Sequence, residues 1–290
     1  MVLLILVLTS CRIGISQSTP APSVTLALLG DVMLGRSVHP TSETFTYLEP
    51  FLTSADLALS NLESPLTDEP VQTESPYALC ASPENVKYLV NAGFDLLALS
   101  NNHSLDCGPE GLLETQSTLS GNGLGFIVSE PINKSVNGIE LAFLAFDATI
   151  QFDNEAAVRS VRSARETGAV VIVSMHWGAE YQSGASARQK QIAEQLAGAG
   201  AALIWGHHPH VLQPAEWIND SQTLVLYSLG NALFDQHGLE NTRRSALVLA
   251  TLDSKGVEEF KVIPFVIDVP NSRIVDAEQA DVQAIMYYFK

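Results

Sequence analysis

Three of the seven histidines in this chain crowd into Gly206-His207-His208-Pro209-His210. Imidazole is the commonest protein ligand for transition metals and the usual side chain for moving protons near neutral pH. In a His-x-His pattern alternate side chains share one side of an extended backbone, and Pro209 favours an extended His208. His208 and His210 are therefore expected to face one point. A surface loop that happens to be rich in histidine is the bland alternative. Other chemistry-bearing groups recur in short polar motifs: Gly30-Asp31, Asn61-Leu62-Glu63, Asn101-Asn102-His103-Ser104-Leu105-Asp106 and His176-Trp177-Gly178-Ala179-Glu180-Tyr181. An amide carbonyl such as that of Asn102 can ligate a cation, and a neighbouring imidazole such as His103 can act on a bound substrate. Asp106 can orient His103 through a ring N–H. The guanidinium of Arg36 forks onto phosphate or carboxylate. Glu180 and Tyr181 read equally well as substrate contacts, as supports of the site and as rim packing. Each residue also has an ordinary reading alone: Asp31 as a cap or turn residue, Arg36 as a structural ion pair, Asn102 as a turn former.

These groups need elements to position them, and a series of apolar runs supplies such elements. Residues 24–29 read as a strand that ends at Gly30-Asp31. Residues 43–52 read as a helix and 56–60 as a second strand ahead of Glu63, which makes a β-α-β unit. Residues 94–99 deliver Asn102 and His103, and residues 169–174 deliver His176. Residues 201–205 lead to Gly206, which is expected to break that strand before the histidines. Further strands are expected over 124–128, 139–146, 223–228, 246–252 and 257–267. Helices are expected over 83–91, 109–120, 154–167, 186–199 and 276–290, with Ser82 and Pro83 suited to an N-cap and first turn. Residues 66–82 read as a long loop of the kind that often carries function. The alternation marks an α/β fold, in which active-site residues gather at the carboxyl ends of strands. Asn231 or Asp235, just past the strand over 223–228, is expected near the ligand, with a tight turn at Gly230-Asn231 as the ordinary reading.

Asp31, Glu63, Asn102, His103, His176, His208 and His210 thus all fall at or just beyond strand ends. In order along the chain, six motifs resemble those of the CapA family of bacterial capsule (poly-γ-glutamate) synthesis proteins. They are Gly30-Asp31-Val32-Met33-Leu34-Gly35-Arg36, Asn61-Leu62-Glu63, the Asn101 to Gly108 stretch, His176 to Tyr181, Gly206 to Gln213 and Ser228-Leu229-Gly230-Asn231. The resemblance runs from about residue 24 to 267. That family is similar to the calcineurin-like metallophosphoesterases. The likeness implies a four-layer α/β/β/α sandwich over residues 24–290 and one or two divalent metal ions, with Mn, Fe and Zn not distinguished. It implies Asp31 and His210 as ligands of one metal, and Asn102, His176 and His208 as ligands of the other. Glu63 would stand where the superfamily has a bridging aspartate, and His103 would meet the leaving group. Met33 departs from the superfamily pattern, which has a histidine there. The implied role is in capsule polymer synthesis, assembly or export, with the polymer or its synthetase complex as partner. Metal-dependent hydrolysis of a phosphoester or γ-glutamyl amide is the alternative.

Composition narrows the partners. With 32 acidic against 15 basic residues the formal net charge is −17, which argues against a nucleic acid and against electrostatic docking on anionic lipid. An apolar content of 46% with 16% charged residues suits a globular core. Residues 2–8 form an apolar run too short to span a bilayer, and Leu8-Thr9-Ser10-Cys11 resembles a bacterial lipobox. Residues 1–11 are accordingly read as a lipoprotein signal with Cys11 as the acylated residue, and 12–23 as a tether. No basic residue precedes the apolar run, so the true start is expected further upstream. The expected location is extracytoplasmic on the cell membrane, with secretion as the alternative. Cys80 and Cys107 either pair there or remain free thiols.

Overall fold

The computed structural model describes residues 21–71, 77–220 and 222–290. Strands β1 (Val24–Val32), β2 (Leu57–Leu62), β3 (Leu96–Ala98) and β4 (Gly125–Ile127) pair in parallel, with helices α1 (Glu49–Ser54), α2 (Val86–Ala92) and α3 (Gly108–Gly121) as crossovers. A second sheet has the order β5 (Ile132–Val136), β6 (Ile139–Asp147), β7 (Val170–His176), β8 (Ala201–His207), β10 (Thr223–Leu229), β9 (Leu212–Ile218). Its inner four strands are parallel, and α4 (Asn154–Glu166) and α5 (Ala187–Ala199) connect them. The chain then returns to the first sheet. There β11 (Asn231–Leu233) joins the end of β1, and β12 (Arg244–Leu252), β13 (Val257–Asp268) and β14 (Arg273–Asp276) continue it antiparallel beyond β1. Helix α6 (Gln279–Met286) packs on β12 and β13. No described helix is long and apolar enough to cross a membrane.

Side-chain alternation on these strands builds three of the cores, besides the small one under α6. Leu26 and Leu28 of β1 meet Phe143, Trp205 and Leu226 between the sheets. Ala27 and Leu29, on the opposite face of β1, pack against Leu89 and Leu119 of the outer helices. On β8, Leu203 and Trp205 face the other sheet while Ile204 faces Val161 and Leu196 of α4 and α5. Strands buried on both faces read as unbroken apolar runs, which is why these strands stood out in the sequence. The result is the four-layer α/β/β/α sandwich.

Several elements depart from the sequence reading. Helix α1 begins at Glu49, and Pro50 lies in its first turn; a helix from residue 43 would place that proline in its interior, where it removes a hydrogen bond and clashes. Strands β5, β9, β11 and β14 were not expected. β5 is half exposed and weakly apolar, and β9 contains Pro214, which only an edge strand tolerates. Gly206 does not break β8, which runs on to His207. A Cβ there would lie 2.1 Å from the Tyr227 carbonyl oxygen, so glycine serves close strand approach instead. Gly30 does the same between the sheets, where a Cβ would lie 1.8 Å from the Gly230 carbonyl oxygen. The choice left open for Cys80 and Cys107 is resolved, since they form a disulfide.

Candidate metal centre

The carboxyl ends of β1, β2, β3, β7 and β8 converge where the two sheets abut. Asp31 lies within β1, Glu63 follows β2, Asn102 and His103 follow β3, and His176 ends β7. His208 and His210 follow β8. They do not lie on the extended backbone expected from His-x-His: their φ angles are 92° and 58°. The left-handed turn points the backbone N–H of His208 at Asp31 Oδ2, 3.2 Å away. Non-glycine residues held at positive φ are sparse, and they recur where a site fixes a geometry.

Glu63 is the centre of the cluster. It is fully buried, and neither of its carboxylate oxygens has a hydrogen-bond partner among the described residues. Its Oε1 lies 3.7 Å from His176 Nε2, 3.8 Å from His210 Nε2 and 3.9 Å from His103 Nε2. Two groups of possible ligand atoms, each mutually within 4.8 Å, share it: Asp31, Glu63 and His210, and Glu63, His176 and His208. Glu180 forms a third group with His208 and His210. Asn102 Oδ1 sits 2.7 Å from His176 Nε2. His207 joins none of these groups among the described residues. Met33 turns into the core, where its sulfur accepts from the Gly35 N–H at 3.0 Å. No imidazole stands at its position in the motif.

The surroundings set the charges. Burial pushes Glu63 well above the usual carboxylate range, and the negative field of Asp31 adds to this. Burial would raise Asp31 too, but its contact with His210 and the fields of His207, His176 and His210 outweigh it and hold the carboxyl far below the ordinary value. Burial lowers His176 and His208, which keeps their rings neutral, the form a cation needs. Burial also works against protonation of His210, yet the carboxylates of Glu63 and Asp31 and the bond to Asn231 raise it to about 9. A buried carboxyl group without hydrogen-bond partners, beside the neutral rings of His176 and His208, fits a divalent cation, which would displace the proton from His210.

A cavity of about 480 Å³ opens onto the cluster, and Arg36, Asn102, His103, Glu180, Tyr181 and His210 are among its lining residues. A larger cavity, about 600 Å³, lies at the far end of the second sheet beside Arg165 and Lys255, away from these groups. Arg36 stands over the Phe234 ring at 5.5 Å and is held by Asp235. Asp106 Oδ2 lies 2.8 Å from His103 Nδ1. Asn231 differs from expectation. It is fully buried behind the cluster, with Oδ1 2.9 Å from His210 Nδ1, and so orients that ring.

Sequence reasoning assigned no role to Asn61 or Asn101. Asn61 Nδ2 donates to Asp31 Oδ1 at 2.8 Å and lies 3.4 Å from His176 Nδ1, and Asn101 donates to Asn61 Oδ1 at 3.2 Å. Both asparagines sit inside the quoted motifs, and that was the available signal. His207, buried with its Nδ1 3.4 Å from Asp31 Oδ1, backs the same carboxylate.

A phosphatase from Mycoplasma pneumoniae has a similar fold, with a TM-score of 0.56 at 13% identity over 91% of this chain and 98% of that one. The PGA biosynthesis protein CapA of Bacillus subtilis (strain 168) is 34% identical over 82% of this chain and 70% of its own length. The capsule biosynthesis protein CapA of Bacillus anthracis is 31% identical over 83% and 67%. The family model described as bacterial capsule synthesis protein PGA_cap matches residues 25–236 and so takes in every cluster residue from Asp31 to Asn231. On that match and on its relatives, the chain belongs to the CapA family of bacterial capsule synthesis proteins.

Proposed function

We propose that this protein works outside the cytoplasm, tethered to the cell membrane through Cys11, in the synthesis, assembly or export of poly-γ-glutamate, and that it does so with a divalent-metal centre. Relatives named for capsule and PGA biosynthesis support the pathway. The observation that carries the metal is Glu63, buried without a hydrogen bond and shared by two groups of ligand atoms. Asp31, Glu63 and His210 would hold one ion, and Glu63, Asn102, His176 and His208 a second. Cys11 lies outside the described residues. The lipobox-like Leu8-Thr9-Ser10-Cys11 supports the anchor, and the disulfide suits an oxidising compartment. Loss of detergent-phase partitioning in a Cys11→Ala variant is the result expected of such an anchor, and unchanged partitioning would remove it.

The His103–Asp106 pair favours a second reading, a hydrolase of phosphoester or γ-glutamyl amide bonds. Two divalent ions held this way can polarise a substrate oxygen and lower the pKa of water. In this chain Asp106 fixes His103 through Nδ1, which leaves Nε2 toward Glu63 to hold or give up a proton. Arg36, braced by Asp235 and Phe234, would dock an anionic group of the substrate in the cavity.

Elemental analysis of the chain from residue 24, purified without chelator, tests the centre against a His208→Ala/His210→Ala double variant. Two equivalents lost in the variant is the expected result. One equivalent would show that the side lacking a histidine at Met33 holds no ion. No metal on a folded chain would overturn the proposal.

A further inference from the structure

We propose that the Cys80–Cys107 disulfide is a positioning device for His103, acting through Leu79 and Asp106. The inference rests on the reading of His103 as a group that meets the bound ligand. One carboxylate oxygen, Oδ2 of Asp106, lies 2.8 Å from both the backbone N–H of Leu79 and Nδ1 of His103. The amide therefore holds the carboxylate, and the carboxylate holds the ring. The disulfide joins the next residue on each side of that contact, since Cys80 follows Leu79 and Cys107 follows Asp106. It thus cross-links the two chain segments whose approach makes the Leu79–Asp106 bond.

The segment carrying Leu79 needs such a tie. Among the described residues, two backbone bonds close the neck of the loop from which it returns: Thr67 N–H to the Ala81 oxygen at 2.9 Å, and Ala81 N–H to the Pro65 oxygen at 2.8 Å. Gly35 leaves room for it, because a Cβ there would come within 2.7 Å of the Leu79 and Cys80 carbonyl oxygens. Leu79 is buried and lines the cavity over the cluster, as does His103. One cross-link therefore sets a wall of the cavity and the orientation of the ring that faces it. An acceptor on Nδ1 selects the Nδ1–H tautomer and leaves the Nε2 lone pair toward the cavity. When the tie is cut, the Leu79 amide is free to leave, Asp106 can rotate, and that selection is lost.

The test compares the full chain with a Cys80→Ala/Cys107→Ala variant, both chelator-treated, by long-range 1H–15N correlation of the His103 ring at a pH where it is neutral. The Nδ1–H tautomer is expected in the disulfide-bonded chain, and a mixture or the Nε2–H tautomer in the variant. Hydrogen exchange at the Leu79 amide is expected to rise at least 10-fold. An Asp106→Ala variant, with the disulfide intact, should reproduce both changes, because the Leu79 amide and His103 Nδ1 share one carboxylate oxygen. Should the double variant fail to fold, wild-type chain reduced by a dithiol under native conditions supplies the same comparison. A lowered melting temperature with the His103 tautomer unchanged would overturn the proposal and leave the disulfide as a stabiliser alone. The readout needs no turnover. If His103 has no role in chemistry, that shows separately, as unchanged activity in a His103→Ala variant.

Discussion

Glutamine in place of Glu63 is expected to raise the melting temperature of the chelator-treated chain at alkaline pH and to remove most of its affinity for divalent ions. Burial and the field of Asp31 raise Glu63 well above its unfolded value near 4.3. A group shifted this way favours the folded state while protonated, and that contribution is lost as pH climbs toward the folded value. His210 acts in the same direction. Its contribution is full below about 6.5 and is lost as pH rises through about 9. The chelated wild type is therefore expected to lose melting temperature from pH 5 to pH 9. The Glu63→Gln chain should match it near pH 5, where a protonated glutamate and a glutamine are alike. Toward alkaline pH, once Glu63 is ionised, the Glu63→Gln chain should become the more stable by about 2 kcal/mol, or roughly 4–8 °C for a domain of this size. Differential scanning fluorimetry with and without chelator and added metal reads both effects. Identical pH profiles for the two proteins would mean that Glu63 is already compensated.

A second large effect is expected at His103. Against any phosphoester or γ-glutamyl amide substrate that the protein turns over, His103→Ala should lower kcat by about 10²–10⁴-fold, the usual contribution of a positioned acid or base. Bound metal should stay at the wild-type level, because Asn102 and His176 still meet at 2.7 Å without it. A parallel fall in metal content would instead place His103 among the ligands. An unchanged kcat would remove it from the chemistry.

The residues that converge on Glu63 were legible because each ends a run that is apolar on both faces. Leu26 to Leu29 and Leu203 to Trp205 announce buried parallel strands, and Asp31 and His208 stand where such strands deliver functional groups. What was not legible depends on contacts far apart in sequence. The left-handed turn at His208 answers to Asp31, 177 residues away. Arg36 gave no sign that Asp235 holds it, and spacing could not decide whether Cys80 meets Cys107. Asn231 or Asp235 was expected near the ligand; the register of Asn231 opposite Asp31, which sets its bond to His210, could not be read from the sequence. β9 went unseen because its proline argues against a strand wherever the edge position is unknown.

The abutment of Gly30 on Gly230 has a consequence for how this protein can change. Asp31 and Glu63 lie at the strand ends of one sheet, while His176, His208 and His210 lie at the strand ends of the other. Both groups of possible ligand atoms that share Glu63 draw on the two halves, so each comes together only while the halves are docked. Side chains that widened the seam at Gly30 would separate donors without touching any of them. A side chain at that glycine is therefore expected to cost the cluster its geometry, although the glycine itself performs no chemistry.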